Sequence, residues 1–177
     1  DRKFATDVRP KNFAALVPAW GWEKTMAFAK KLAAQNPVWL RGDAQMVTYL
    51  MAGEFPLLLG PNYKTVIRIQ PKDVKGVLGY KVVEPIPTRL SQTQAVLATA
   101  ESPHAALLWL EFQAGVEGQK ILDEVDLSAS IFSPGSAHER LTRGKPLSLV
   151  AWEYYPKMVR YEEEIVKAFG FPRAEKK

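Results

Sequence analysis

Cysteine is absent from the 177 residues, which removes disulfides, thiolate metal sites and cysteine nucleophiles together. Histidine is almost absent as well. His104 and His138 are the only two, and neither has a partner at i+4 or a carboxylate at the spacing of a metal or hydrolase site. Gly-x-Ser-x-Gly, Walker and dinucleotide-binding patterns are missing, so nucleotide chemistry has no motif to rest on. No apolar run approaches the roughly 18 residues of a membrane span. The chain opens without an initiating Met or an apolar signal segment, which predicts a processed chain or a fragment. There is no internal repeat and no low-complexity tract. These absences leave no catalytic constellation, and the chain is expected not to be an enzyme.

What is present is ordinary for a globular protein: 47% hydrophobic and 24% charged residues, enough for one large domain or two small lobes. The net charge of +5 is unevenly spread. Residues 1–84 carry 13 Lys and Arg against 7 Asp and Glu, a net of +6, whereas residues 85–177 carry 11 against 12, a net of −1. A basic field favours an anionic ligand or surface; it is equally what a solvated face kept for solubility carries.

Hydrophobic periodicity predicts a short strand near Lys3 to Thr6, then a helix entered at Pro10 or Asn12, since Pro suits a first turn and Asn a cap. `GWEKTMAFAKKLAAQNP` predicts an amphipathic helix stopped by Asn36 and Pro37. After it come a strand at `VWL`, a helix capped by Asp43 and ending at Gly53, and a strand at `FPLLLG`, apolar enough to be covered on both faces. `PNYKTVIRIQ` returns to helix with Pro61 in its first turn, and `VLGYKVVEPIP` predicts a strand. Alternating strands and helices point to an α/β lobe over residues 1–84. Beyond it, `SQTQAVLATA` predicts a strand, Ser102 and Pro103 a helix start, Gly115 a break before a second helix, and `SPGSAHERLTRGKP` a polar loop. A closing helix carries Met158, Tyr161, Ile165 and Phe169 on or near one face.

Two places have the composition of binding sites. In `DVRPKN` a strand end runs into a helix start carrying Arg9, Lys11 and Asn12, where free N–H groups, the positive dipole end and two cations would favour an anion. A capped, solvated turn would have the same residues. In `GPNY` a second strand end meets a second helix start, and ligands of open α/β sheets lie outside the carboxyl ends of strands. Asn62 and Tyr63 there offer an amide and a phenol that orient a ligand without reacting with it, although a half-buried Tyr packed on its helix would look the same. The `RGD` at Arg41 to Asp43 is explained by Asp43 capping a helix. Of the five tryptophans only Trp20 and Trp22, near Lys24, approach the interleaving of aromatic and basic residues that nucleic acid would want, so no nucleic-acid partner is expected.

Three stretches in this order, `EKTMAFAKKLAAQNP`, `AQMVTYLMAGEFPLLLGPNY` and `AVLATAESPHAALLWLEFQAGVEGQKIL`, resemble the second half of a periplasmic solute-binding protein of an ABC importer, in the group that includes the ferric-iron binding proteins. The resemblance covers roughly residues 1–125. It implies a periplasmic-binding-protein type II-like α/β fold: residues 1–84 as the C-terminal lobe, 85–125 as a return crossing and helices of the N-terminal lobe, and 126–177 as a loop and C-terminal helix packing across the lobes. The greater part of the N-terminal lobe would precede Asp1. Ferric-binding members carry two adjacent tyrosines after the apolar strand, where this chain has Asn62, Tyr63 and Lys64. An ammonium beside a trivalent metal is unfavourable, so no metal ligands are assigned here.

The expectation is therefore a periplasmic or membrane-anchored extracellular protein, monomeric when full length, that captures a small anionic solute or metal–anion chelate in an interlobe cleft. Arg9, Lys11 and Asn12 would hold the negative group and Asn62 with Tyr63 would orient the ligand. Closure about a hinge near residues 84–92 would present the solute to an ABC permease in the membrane, with no cofactor. A ligand-sensing domain of the same fold in a regulator or receptor is the alternative, and an enzyme on the same lobes would need a catalytic group that these residues do not supply.

Overall fold

The structure of the chain, a computed structural model, describes residues 4–89 and 93–170. It is mixed α/β, with many helices around two small parallel sheets. Two compact units result: one takes the chain up to Arg89 and resumes it at Leu147, and the other holds the stretch between, ending at Pro146.

The first unit begins with β1 (Ala5–Asp7), buried along its whole length. Two single turns follow, α1 (Lys11–Ala14) and α2 (Val17–Trp20), and then α3 (Trp22–Ala34). Asn36, in the left-handed region at φ 50°, and Pro37 end α3 as their chemistry predicts. β2 (Val38–Leu40), α4 (Asp43–Met51), β3 (Leu58–Leu59) and α5 (Tyr63–Ile69) complete the alternation. The strands form a parallel sheet in the order β2-β1-β3, with Ala5 opposite both Val38 and Leu58. With β1 central, its carboxyl end at Asp7 lies between those of its neighbours. The Thr6 hydroxyl, fully buried, donates to the Leu59 carbonyl at 3.1 Å and ties β1 to β3 beyond the ladder.

β4 (Ile86–Thr88) pairs in parallel with β5 (Leu147–Leu149), forming a second sheet in the same unit. The buried Ser148 hydroxyl accepts the Ala19 N–H at 3.1 Å, which joins β5 to α2. The last helix, α9 (Tyr155–Phe169), lies on α3 and α1. Its Met158, Ile165 and Phe169 enter a core with Phe13, Ala14, Ala29, Leu32 and Val150. Ile165 is fully buried, and burying a side chain of that size contributes roughly 1.5–3 kcal/mol. Aromatic contacts add direction: Trp22 stacks on Tyr161 with centroids 4.9 Å apart, and Phe169 meets Trp39 at 4.5 Å. A smaller cluster of Val47, Val66 and Leu78 fastens α4 to α5.

The second unit contains α6 (Pro103–Ala114), α7 (Val116–Asp126) and α8 (Ala137–Thr142). The α6–α7 corner is tight because Gly118 lies against the end of α6. A Cβ on Gly118 would fall 2.7 Å from Gln113 Cα and closer still to the Phe112 carbonyl oxygen. Asp123 accepts the Ala137 N–H at 2.9 and 3.0 Å and so attaches α8 to α7. α6 is apolar almost all round and buries none of its residues; Leu108 and Trp109 are 67% and 57% exposed.

Several expectations are corrected. The strand foreseen at `VLGYKVVEPIP` shrinks to Ile86–Thr88, and residues 77–85 are irregular. `SQTQAVLATA` forms no strand over its described residues 93–100, since β-propensity without a neighbouring ladder cannot satisfy the backbone. Ser91 and Gln92, like Lys3, lie outside the described residues. β3 is only two residues long and half-exposed, not covered on both faces. Pro61 precedes α5, whose N-cap is Asn62. The stretch foreseen as a polar loop contains α8, started by a side-chain N-cap: the Ser136 hydroxyl accepts the Glu139 N–H at 3.1 Å, and the Glu139 carboxylate accepts the N–H of Gly135, the residue before the cap, at 3.3 Å. The strand at Leu147–Leu149 was not foreseen at all. Among the described residues no helix is long and apolar enough to cross a membrane.

Candidate functional site

Parallel strands bring their carboxyl ends to one edge, and the helices that follow start there. In this chain that edge collects Asp7 at the end of β1, Arg9 just after it, Asp43 at the start of α4 and Asn62 at the start of α5. Arg89, directly after β4, is joined to them through Asn62. The group is connected by hydrogen bonds.

Asp7 is buried and accepts from Arg9 four times. The backbone N–H donates to Oδ1 at 2.7 Å, Nε donates to the two carboxylate oxygens at 3.0 and 3.1 Å, and Nη2 pairs closely with Oδ2. Burial pushes the Asp7 carboxyl up, but the Arg9 hydrogen bonds and charge outweigh it and leave the group below its ordinary range. The Arg9 guanidinium is raised, chiefly by its hydrogen bond to Asp7. Its Nη2 also reaches Asp43 Oδ1 at 3.5 Å. Asp43 accepts from the Asn62 amide nitrogen through Oδ2, and Arg89 Nη2 donates to the Asn62 Oδ1 at 3.2 Å. Arg9, Asp43, Asn62 and Arg89 thus form one chain across the strand ends.

The five residues expected to bind a ligand are distributed as follows. Arg9 lies at the edge, but most of its charge is committed to Asp7. Asn12 turns away from a capping role and donates its amide to the Gly60 carbonyl at 2.5 Å. That bond holds the turn after β3, where Gly60 has φ +82°, a conformation that glycine adopts without steric cost. Both polar ends of Asn62 are engaged, so it positions Arg89 more than it presents a free amide. Tyr63 is half-buried, with its ring edge-on to Tyr80 at a centroid distance of 5.8 Å. Lys11 is exposed on α1. Because α1 is a single turn, the aligned peptide dipoles expected to hold an anion there are too few to matter.

Asp7, Arg89 and Glu162 were not foreseen in the site, and Asp43 was foreseen only as a helix cap. Asp43 is the first residue of α4, with Gly42 at the N-cap position, and spends its carboxylate on Arg9 and Asn62. Arg89 is half-buried, and burial holds its guanidinium below the ordinary value while Glu162 and Asp43 oppose the shift. Glu162, on α9, is also half-buried; burial raises its carboxyl against the opposing pull of Lys11 and Arg89. Glu162 could have been found by helical period. It lies four residues after Met158 and three before Ile165, on the face that α9 buries.

Among these six ionisable side chains three are cationic and three anionic. The arrangement can hold a charged ligand by hydrogen bonds, but it offers no nucleophile–base pair. Among the described residues no group of three His, Asp or Glu is placed to hold a metal ion. A shallow depression of ≈ 310 Å³ lined by Trp22, Arg160, Tyr161 and Glu164 includes no member of this cluster. Comparison with known protein families, curated proteins and solved structures gives no match to the chain.

Proposed function

We propose that the chain is a solute-binding component of an ABC importer, which captures a small solute through its anionic group at the carboxyl edge of the β2-β1-β3 sheet. Arg89 carries this reading. It is a half-buried guanidinium with a single hydrogen bond, to Asn62, among the described residues, and its remaining N–H donors have no partner there. A guanidinium in that state gains most from an oxyanion, which it can accept in a bidentate grip. The resemblance of the sequence to the solute-binding family supports the transport role. Closure by a second lobe and presentation to a membrane permease belong to the same proposal, as does a periplasmic or membrane-anchored location; the hinge expected near residues 84–92 falls in part, at residues 90–92, outside the described residues.

Titration calorimetry with organic acids, phosphonates, ferric citrate, free Fe³⁺ and neutral sugars tests the proposal. An anion or a metal–anion complex is expected to bind, and Arg89→Gln to weaken it by about one to two orders of magnitude, the cost of losing a charge-assisted pair. Tight binding of a neutral sugar, with no heat from any anion, overturns it.

A further inference from the structure

Lys11 lies on α1, Glu162 on α9, and Arg89 directly follows β4; α1 lies against both α9 and β4. Each cation acts electrostatically on the Glu162 carboxylate, yet no ion pair of 4.0 Å or less joins Glu162 to either of them. Glu162 also accepts no hydrogen bond among the described residues. The contrast with Asp7 is sharp, since Asp7 is closed on Arg9 by four bonds. Among the described residues, Glu162 is thus half-buried without a partner, beside elements that carry an exposed Lys11 and an Arg89 bonded only to Asn62. A half-buried carboxylate kept apart from its cations loses hydration without regaining it through a partner.

Resting on the proposed function above, we propose that Lys11, Arg89 and Glu162 read the ligand, and that they select a small zwitterion: its oxyanion on Arg89 and Lys11, its ammonium on Glu162. The balance of charge at the strand ends points the same way. With as many carboxylates as cations, the cluster has no excess positive charge to reward an anion alone, and Glu162 repels one that brings no ammonium. A ligand with both charges supplies what the half-buried Arg89 and Glu162 lack, and the carboxylate becomes a source of specificity.

The test is calorimetry at neutral pH with three matched pairs that differ by one ammonium: β-alanine and propionate, taurine and ethanesulfonate, aminoethylphosphonate and ethylphosphonate. For at least one pair the amine is expected to bind about tenfold or more tightly than its partner, as charge-assisted bonds in a partly desolvated site allow. Glu162→Gln should bring that ratio close to unity and improve binding of the amine-free member, whereas Glu162→Asp should keep part of the preference. Arg89→Gln should weaken both members alike. A ratio near unity in the unaltered protein, or one that survives Glu162→Gln, overturns the inference and leaves the anion-binding reading standing. Failure of all six probes also overturns it, and the anion-binding reading is then decided separately by the wider panel.

Discussion

Asn62 and Arg89 are joined by a 3.2 Å hydrogen bond in which the guanidinium Nη2 donates to the amide Oδ1, while the same amide donates its N–H to Asp43. One side chain therefore couples the ends of β3 and β4 to the start of α4. Asn62→Ala removes both bonds and leaves Asp43 and Arg89 to find other partners. A loss of about 1–2 kcal/mol in unfolding free energy is expected, with anion binding weakened by about threefold to tenfold as Arg89 loses its orientation. Urea denaturation and calorimetry measure the two effects. Unchanged affinity at reduced stability would show that Asn62 has no part in positioning Arg89.

The Asp7–Arg9 pair is structural, and its loss should appear in stability. Asp7→Asn is expected to cost about 1–3 kcal/mol at neutral pH, a range that already allows for the solvent around exposed Arg9. The sign with pH follows from a carboxyl held below its ordinary value of 3.8. Its contribution is fully present above 3.8 and is lost as the pH falls through the lower, folded-state value. Denaturation curves for the two proteins should therefore converge in acid, below 3.8. A difference that stays constant down to the lowest accessible pH would contradict the pairing.

Glu162 should behave in the opposite sense. Burial raises its carboxyl above the ordinary 4.5, so the folded state holds the proton more tightly than the unfolded chain does. The protein then loses stability as pH rises from 4.5 through the raised value. Glu162→Gln lacks that loss. It is expected to be more stable than the unaltered protein at neutral pH, with the advantage disappearing toward and below 4.5. Thermal melts across that range measure it, and a variant that is less stable at neutral pH would show that Lys11 and Arg89 outweigh burial.

α9 is integral to the first unit, although more than a hundred residues separate it in the chain from the α1 and α3 helices it covers. Ile165→Ala, at a fully buried position among Phe13, Leu32 and Phe169, should cost about 2–5 kcal/mol. Hydrogen exchange would then rise in α1 and α3 as well as in α9. A loss of protection confined to α9 would argue that the helix is only loosely attached.

The α6–α7 corner depends on Gly118. Gly118→Ala puts a methyl group 2.7 Å from Gln113 Cα, against backbone that cannot rotate away as a flexible side chain would. The corner must open, at a cost of about 1–3 kcal/mol. Reduced protection of the amides in α6 and α7, with α3 and α9 unaffected, is the expected pattern in hydrogen exchange.

Much of the first unit was legible from local chemistry. The period of `WEKTMAFAKKLAA` and the Asn-Pro stop define α3, and the alternation of short apolar runs with helices specifies an α/β sheet. The candidate edge followed as well, because strand ends and helix starts meet there whatever the details. Helix capping at Ser136 was equally legible as Ser-x-x-Glu, but its polar surroundings hid it. The exposed α6 was foreseen as a helix because Pro103 and its apolar content are sufficient, even though it buries nothing.

Partner choice across distant elements was decided by tertiary structure. Arg9 and Arg89 are the same residue type, each following a strand, and only the nearby Asp7, two residues before Arg9, distinguishes them locally. Folding sets Arg9 on the buried Asp7 carboxylate two residues away and leaves Arg89 with one bond to an amide. Asn12 and Asn62 both looked like cap or ligand groups, yet long-range contacts give one to the Gly60 carbonyl and commit the other to Asp43 and Arg89. β5 exists because β4, far earlier in the chain, offers it a ladder. Periodicity and capping act within a few residues and belong to the sequence. Which amide holds a turn and which side chain faces Arg89 depends on groups brought together from distant elements, and only the folded chain determines that.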